Sequence, residues 1–547
     1  MLARRLLVLL ALVAVWSVGL LVGAAAAAPA APVVRELRQP DGHGFAARQW
    51  GDEHGHGWET TDGFSVVADR ASGFWEYAIP GAHGRLVASG HRPGEQPPPG
   101  PRHLRPDATA TGARAPSSEG DAADAGTAAL APSYSMAQTV AAPAHLGVEP
   151  SLVLLVEFDD QQATTTVADW RGRYFGERNS VRDYFDEVSY GAFTFAPAYE
   201  IRGAADGVIG WLNLGARHPD FERMGEVARW DAQAQLAADA LRAANPFVRY
   251  SRYDRNGDKV LTKDELHVTV IVAGREASYG GVARDNAVWA HQADLFAARE
   301  AVWLDGVLIG DGYTMFGEKH GTHVATLRIM VHEMGHDIDW PDLYDTGDGG
   351  EGVGVWSIMG TGAWLEDGGH PGSTPSHPDA FLKYLQGWIS PSAFRGTRDD
   401  VTLEAAASAT APTVVRLLAN PSGVDWSFLR HSGLGQYFLV ENRQRTGYDA
   451  GLPGCGVLVW HIDESRTATN FANATDSHRL VDLEEAGRDL FYDLLDPFLG
   501  IAGTAFGDHT RPSSDLYSGA KSGVTMSDVS QGSCATPGTV TADFVVE

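Results

Sequence analysis

The rhythm of apolar and polar positions changes character three times along the chain. From residue 33 to about 90, short alternating stretches such as DGFSVVADRASGFWEYAIP are cut by glycine turns and predict a small module of antiparallel strands. From about Pro93 to Pro143 the alternation dissolves into Pro-, Ala-, Gly- and Ser-rich sequence, which reads as a linker open to proteolysis. Order returns with SLVLLVEF at 151 to 158, an unbroken apolar run expected of a strand buried on both faces. Helical periodicity follows at about 167–175, 180–190 and 219–244, then strands at 266–273 and 301–309, then a helix opening near Thr322. Beyond about 395 strands such as QYFLVEN and GVLVWHID alternate with glycine turns. The expected class is α+β, with a mixed sheet in the middle of the chain and an antiparallel, sandwich-like C-terminal part.

The first residues carry a different pattern. Arg4 and Arg5 precede the apolar run Leu6 to Val22, and an alanine tract leads to a small-residue cleavage site near Ala28. That order predicts a signal peptide at 1–28, and hence a secreted, extracellular protein with no permanent membrane anchor. The division that follows is 29–90 for the N-terminal module, 91–145 for the linker, 146–395 for the α+β domain and 396–547 for the β-rich domain. The 42 basic and 70 acidic side chains leave a net charge of −28, which repels nucleic acid and anionic membrane. The two cysteines, Cys455 and Cys534, are too few for a disulfide scaffold, and export allows one bridge between them.

Chemistry concentrates in VHEMGHDIDWPDLYD, residues 331–345. His332 and His336 stand four apart on an expected helix, so both imidazoles reach one ion. The same helix places Leu327, Met330, Val331, Met334 and Ile338 in a separate apolar stripe, which leaves the histidines free of the packing role. Glu333, next to the first histidine, is placed to take a proton from a water that zinc has brought to a pKa of about 7. Asp342 is the expected third ligand, six residues after His336, with Pro341 ending the helix before it; Asp339 and Asp345 are rivals. The long form of this zinc motif has glycine three residues after the second histidine. Here that position is Asp339, which tolerates the left-handed turn at about 1 kcal/mol.

With these residues in view, the chain resembles the immune inhibitor A type of secreted zinc metallopeptidases within the metzincin group. VWSIMGTGAW at 355–364 looks like the family's Met-turn, with Met359 as an apolar floor beneath the zinc. SLVLLVEFDD, SVRDYFDEVSYG, HPDAFLKYLQGWISP, QYFLVENRQ with GYDAGLPG, and GVLVWHID also match, and QPDG with WETTDGFSVVADRASGFWEYA looks like its propeptide. The resemblance implies a zincin fold with an active-site helix and zinc held by His332, His336 and Asp342, with Glu333 as base. It also implies endopeptidase action on protein or peptide substrates, and a latent precursor opened by an activating protease or by self-cleavage.

Weaker patterns accompany the motif. DRNGDKVLTKDE sets Asp254, Asn256, Asp258, the Val260 carbonyl, Thr262 and Glu265 at calcium-loop positions, with Lys259 where glycine is usual and no helix pair around it. Calcium there would stabilise, and a solvated Asp-Gly turn explains the same residues. His370, His377 and Tyr384 follow the Met-turn as oxyanion donors to weigh, His461 and Asp463 read as structural, and Asp41 is the guess for a latency group that its turn equally explains. Two rival functions keep the zinc fold: a catalytically dead binding protein, which the intact Glu333 disfavours, and a zinc amidase acting on cell-wall peptides.

Overall fold

The computed structural model describes residues 26–52, 55–69, 71–106, 144–280, 287–346, 352–408, 410–418, 436–464, 466, 472–475, 477–487, 493–499, 505–530, 534 and 538–547. Most of the expected signal peptide, residues 1–25, and most of the linker, 107–143, lie outside them. No helix among the described residues is long and apolar enough to cross a membrane.

A nine-stranded mixed sheet forms the centre. Its strands are β1 (Ala26–Ala27), β2 (Gly147–Glu157), β3 (Phe193–Pro197), β4 (Val208–Asn213), β5 (His267–Glu276), β6 (Ala287–Val288), β7 (His291–Ala293), β8 (Tyr313–His320) and β9 (His323–Val324). The spatial order is β1-β7-β8-β5-β2-β4, with β6 on β5, β9 on β8 and β3 on β2. β8, β5, β2 and β4 run parallel, whereas β7 is antiparallel to β8 and carries β1 antiparallel on its outer side.

Parallel strands are covered on both faces, and this explains the unbroken apolar run of β2. Val153 and Leu155 point to one core and Leu152, Leu154 and Val156 to the other. Helices α1 (Val167–Phe175), α2 (Val181–Val188) and α4 (Leu327–Asp337) cover the first face, and the long α3 (Glu226–Ala244) covers the second. The short α5 (Ala380–Leu385) packs beside α4 in the first core. α1 opens on a capping box between Thr166 and Asp169, a signal readable from sequence.

Two expectations need correction. The segment 301–309 is a hairpin of Val302–Leu304 and Val307–Ile309, because Asp305 (φ 50°) and Gly306 (φ 87°) form a two-residue turn with both φ positive. The helix expected to open near Thr322 starts at Leu327, since β8 and β9 occupy 313–324, where apolar and polar residues do not alternate in register with the pleat.

The N-terminal residues form a six-stranded antiparallel meander from Val34–Arg38 to Leu86–Ala88. Residues within the stretch expected as linker lie against it: Arg105 and His103 both reach the buried Glu59 carboxylate. At the C-terminal end a five-stranded sheet faces a four-stranded one across a shared apolar core containing Phe438, Val459, Met526 and Phe544. All pairs in these two sheets are antiparallel except Ser392–Phe394 with Val415–Leu417. Tyr437, Leu439 and Trp460 turn from the five-stranded sheet into the central core, so that sheet is buried on both sides. Cys455 and Cys534 form a disulfide with Cα atoms 5.5 Å apart.

Candidate metal centre

Helix α4 is buried along its whole length. The apolar stripe expected from periodicity is there, with Leu327 5% exposed and Met330, Val331, Met334 and Ile338 at 0%. His332 and His336 are buried as well, at 0% and 2%, on their own face of the helix. Gly335 lies between them for a steric reason. A Cβ there would stand 2.7 Å from the Trp340 ring and 3.0 Å from Met359 Sδ, so the approach of those two side chains requires glycine.

The helix ends in a Schellman motif. Asp339 N–H donates to the His336 carbonyl (2.9 Å) and Trp340 N–H to the Gly335 carbonyl (3.0 Å), with Asp339 left-handed at φ 70°. The residue that replaces glycine thus adopts the conformation glycine would. Its carboxylate turns away from the histidines to pair with Lys263 Nζ at 2.9 Å. Burial acts to lower the Lys263 pKa, but the charges of Asp339, Asp264 and Asp337 outweigh it and hold it above the usual lysine value.

The turn returns Asp342 to the histidines. His332, His336 and Asp342 each offer one ligand atom, and these atoms lie within 4.8 Å of one another. Asp342 Oδ1 is 3.4 Å from His332 Nε2 and 3.2 Å from His336 Nε2. The far ring nitrogens are committed elsewhere: His332 Nδ1 to the Ile358 carbonyl at 2.9 Å, His336 Nδ1 to the Trp340 carbonyl at 2.7 Å. A carbonyl only accepts, so each Nδ1 carries a proton, which leaves Nε2 as the atom each ring turns toward Asp342. Burial lowers the His332 pKa and favours the neutral, ligating form. For Asp342 burial acts upward, but the His336 charge and hydrogen bonds from both imidazoles hold the carboxyl below its usual value. Two imidazole nitrogens and one carboxylate, sealed from solvent, fit a zinc ion. Asp345 is buried but stands outside this group. Glu333, also fully buried, follows His332 on α4.

Support comes from distant parts of the chain. Met359 is 0% exposed and its carbonyl oxygen accepts from Leu343 N–H at 2.8 Å, so the loop after Ile358 and the loop after Asp342 brace each other. Arg443, on the C-terminal strand Gln436–Arg443, donates to the Trp356 carbonyl at 2.6 Å, and Asn473 donates to the Leu343 carbonyl at 3.0 Å. The C-terminal sheet thereby supports both loops that frame the cluster.

Residues 176–389 match the profile described as immune inhibitor A peptidase M6, catalytic domain. This part of the chain is similar to the catalytic domain of immune inhibitor A peptidases. The matched segment contains the whole cluster with Glu333 and Met359. The immune inhibitor A family also appears among curated relatives: immune inhibitor A of Bacillus thuringiensis subsp. alesti is 28% identical over 227 residues, covering 36% of this chain and 30% of that protein. Pre-pro-metalloprotease PrtV of Vibrio cholerae serotype O1 is 31% identical over 179 residues, covering 30% of this chain and 18% of that protein. The chain thus corresponds to less than a third of either relative.

Other expected residues lie elsewhere. His377 is buried in a polar network, its Nε2 3.0 Å from Glu187 and its Nδ1 3.2 Å from Lys383 Nζ. Tyr384 accepts from Arg416, and His370 is exposed and stacked on His323 with ring centres 3.8 Å apart. These contacts give all three structural roles. His461 bridges Glu484 and Gln436, and Asp463 holds His478. Asp41 is exposed and accepts His43 N–H at 3.0 Å, which is the turn-shaping role. In the 254–265 loop Asp254 accepts from Gly257 and Lys259, Asp258 from Val260, and Glu265 from Arg255, Asn256 and Thr262, so the loop's own amides occupy its carboxylates. Lys259 is left-handed there, at φ 68°. Sequence reading missed the carbonyls of Ile358 and Trp340, which carry no side-chain signal. It also passed over Arg328, one helical turn before His332 and therefore on the same face.

Proposed function

We propose that the protein is a zinc-dependent endopeptidase, exported as a latent precursor, that hydrolyses peptide bonds in protein substrates. The observation that carries this reading is the convergence of His332 Nε2 and His336 Nε2 on Asp342 Oδ1, with both Nδ1 atoms held by backbone carbonyls. His332, His336 and Asp342 would hold the ion, which when bound supplies a Lewis-acidic centre able to bring a water to a pKa of about 7. Glu333 is the proton carrier. It receives the proton of the attacking water on its carboxylate and passes it to the leaving amine, so the peptide C–N bond breaks while the base is restored. Burial of the whole cluster excludes bulk water and strengthens each of these interactions. The calcium expected at 254–265 belongs to the same proposal, as a stabilising ion only.

Latency has support in the contacts of the N-terminal sheet. Tyr344, two residues after Asp342, donates its hydroxyl to Asp52 at 3.4 Å, and His56 stacks on Trp289 with ring centres 4.3 Å apart. A module fixed at these points, one of them two residues from Asp342, would restrict access to the cluster until the linker is cut. The test is Glu333→Ala. Zinc content by elemental analysis should stay unchanged while casein hydrolysis by the processed protein falls roughly 10²–10⁴-fold. Full hydrolysis by that variant would refute the mechanism.

A further inference from the structure

Arg328 is a fully buried guanidinium on α4, four residues before His332. Its partners are unusual for a buried charge. Nη1 donates to Ser278 Oγ at 3.4 Å, Nη2 donates to the Pro29 carbonyl at 3.1 Å, and the group lies 3.6 Å from the Trp364 ring centre. Among the described residues no carboxylate forms an ion pair with it, and Nε has no hydrogen-bond partner. A buried cation without a hydrogen-bonded counter-ion is costly, so a site built this way needs a reason other than stability.

The segment that covers Arg328 suggests the reason. Ala26 and Ala27 run antiparallel to β7, opposite Gln292 and His291, and the chain continues past Arg328. The Ala28 carbonyl accepts from Trp289 Nε1 at 2.9 Å, and the Pro29 carbonyl accepts from both Arg328 and Trp364 Nε1, the latter at 3.2 Å. Ala31 N–H donates to the Ser278 carbonyl at 2.7 Å. The protein grips this stretch by its backbone, from a sheet edge and two indoles, while the side chains are methyl groups and a proline ring. That is how an enzyme holds a peptide whose sequence it does not read. The grip lies one helical turn from His332 and within the field of Glu333.

We infer that Arg328, with Trp364, anchors an extended peptide substrate by a backbone carbonyl, and that the segment Pro29–Ala31, which remains after removal of residues 1–28, occupies this place as an internal stand-in. The inference rests on the peptidase reading above and names the residue that positions the substrate. Departure of the segment uncovers a guanidinium that the next peptide carbonyl satisfies.

Two measurements on the full chain test it. Hydrogen exchange followed by mass spectrometry should show the peptide spanning 29–37 protected in the parent. Arg328→Gln should raise exchange there by roughly tenfold or more, the loss of a charge-assisted hydrogen bond, without raising it in β5. Arg328→Lys should restore part of the protection. Should Arg328→Gln fail to fold, Ala31→Asp, which leaves the anchor intact and disturbs only the occupant, should raise exchange in the same peptide. For the second measurement the chain is nicked within 107–143 by limited proteolysis and assayed on a peptide substrate. Arg328→Gln should raise KM about tenfold or more with kcat nearly kept, and a synthetic AAAPAAPV peptide should inhibit the parent competitively and the variant about tenfold more weakly. Unchanged exchange in 29–37 in the variants, or no inhibition by millimolar peptide, overturns the inference. If the nicked parent carries zinc but hydrolyses nothing, the peptidase reading fails, and the exchange result still decides the role of Arg328.

Discussion

Two histidine–carboxylate clusters flank the C-terminal end of α4, one through His336 and the other through Asp337. His332, His336 and Asp342 form one; His145, Glu149 and His267 form the other, and both satisfy the same 4.8 Å proximity. The difference lies in what holds the far nitrogens. In the first cluster backbone carbonyls accept from both Nδ1 atoms and leave each Nε2 as the ligating atom. In the second His267 sits between two carboxylates, Asp337 at 2.6 Å on Nδ1 and Glu149 at 2.8 Å on Nε2, so both nitrogens must donate. Burial acts to lower the His267 pKa, but the hydrogen bonds and charges of Asp337 and Glu149 raise it to about 9. Glu149 is held down at about 2, burial opposing and the hydrogen bonds from His145 and His267 prevailing. One arrangement offers electron pairs to a cation; the other already contains its cation as an imidazolium. Proximity of histidine and acid therefore does not make a metal site, and the partner behind the ring decides.

The strongest way to break this contrast is to count the metal. The protein should bind one zinc per chain, and His336→Ala should remove it together with about 10³-fold or more of the hydrolysis. His145→Gln should leave the zinc content unchanged. A second zinc that disappears on His145→Gln would erase the distinction.

The next effect is on stability. His267→Gln should cost roughly 3–5 kcal/mol in denaturant unfolding, because Glu149 and Asp337 lose their buried counter-ion, with the zinc content kept. The pH profile carries the sign. A raised histidine pKa contributes stability that is full below its unfolded value near 6.5 and is lost as pH rises through about 9. The depressed Glu149 contributes above about 4.5 and loses it as pH falls toward 2. The parent should thus be most stable relative to His267→Gln between about pH 4.5 and 6.5, and a flat difference would remove the charged pair from the account.

A smaller effect sharpens the role of the turn between the clusters. Asp339→Gly relieves left-handed strain of about 1 kcal/mol yet strips the buried Lys263 of its nearest partner, so the variant should lose about 2 kcal/mol net. A gain in unfolding stability would show that the ion pair contributes little. The smallest effect concerns the outer loop. Calcium at 1 mM should stabilise the chain by about 1 kcal/mol in thermal unfolding, and Asp258→Ala should abolish the shift.

Local sequence carried much of this. Four-residue spacing put both histidines on one helical face, and Pro341 with a turn-tolerant Asp339 foretold the return to Asp342, because each depends on backbone geometry within a few residues. The same locality explains α1 and β2, found where periodicity set them. It failed at 301–309, where the Asp305–Gly306 turn outranked an apolar run, and at β8, whose residues are buried on both faces whatever their polarity. Glu318 and His320 are fully buried in that strand, so no alternation marks it.

By itself, then, the sequence determined the chemistry available: two imidazoles, a base and a carboxylate within one short stretch, plus two cysteines able to pair. Tertiary structure decided which histidines are neutral, since the Ile358 carbonyl and the Asp337 carboxylate reach their rings only through folding. It also decided that Arg328, which spacing alone shows merely as a neighbour of His332, is capped by a carbonyl 299 positions earlier in the chain. Spacing acts through the backbone over a few residues, whereas protonation and burial depend on groups that only the packed fold brings together.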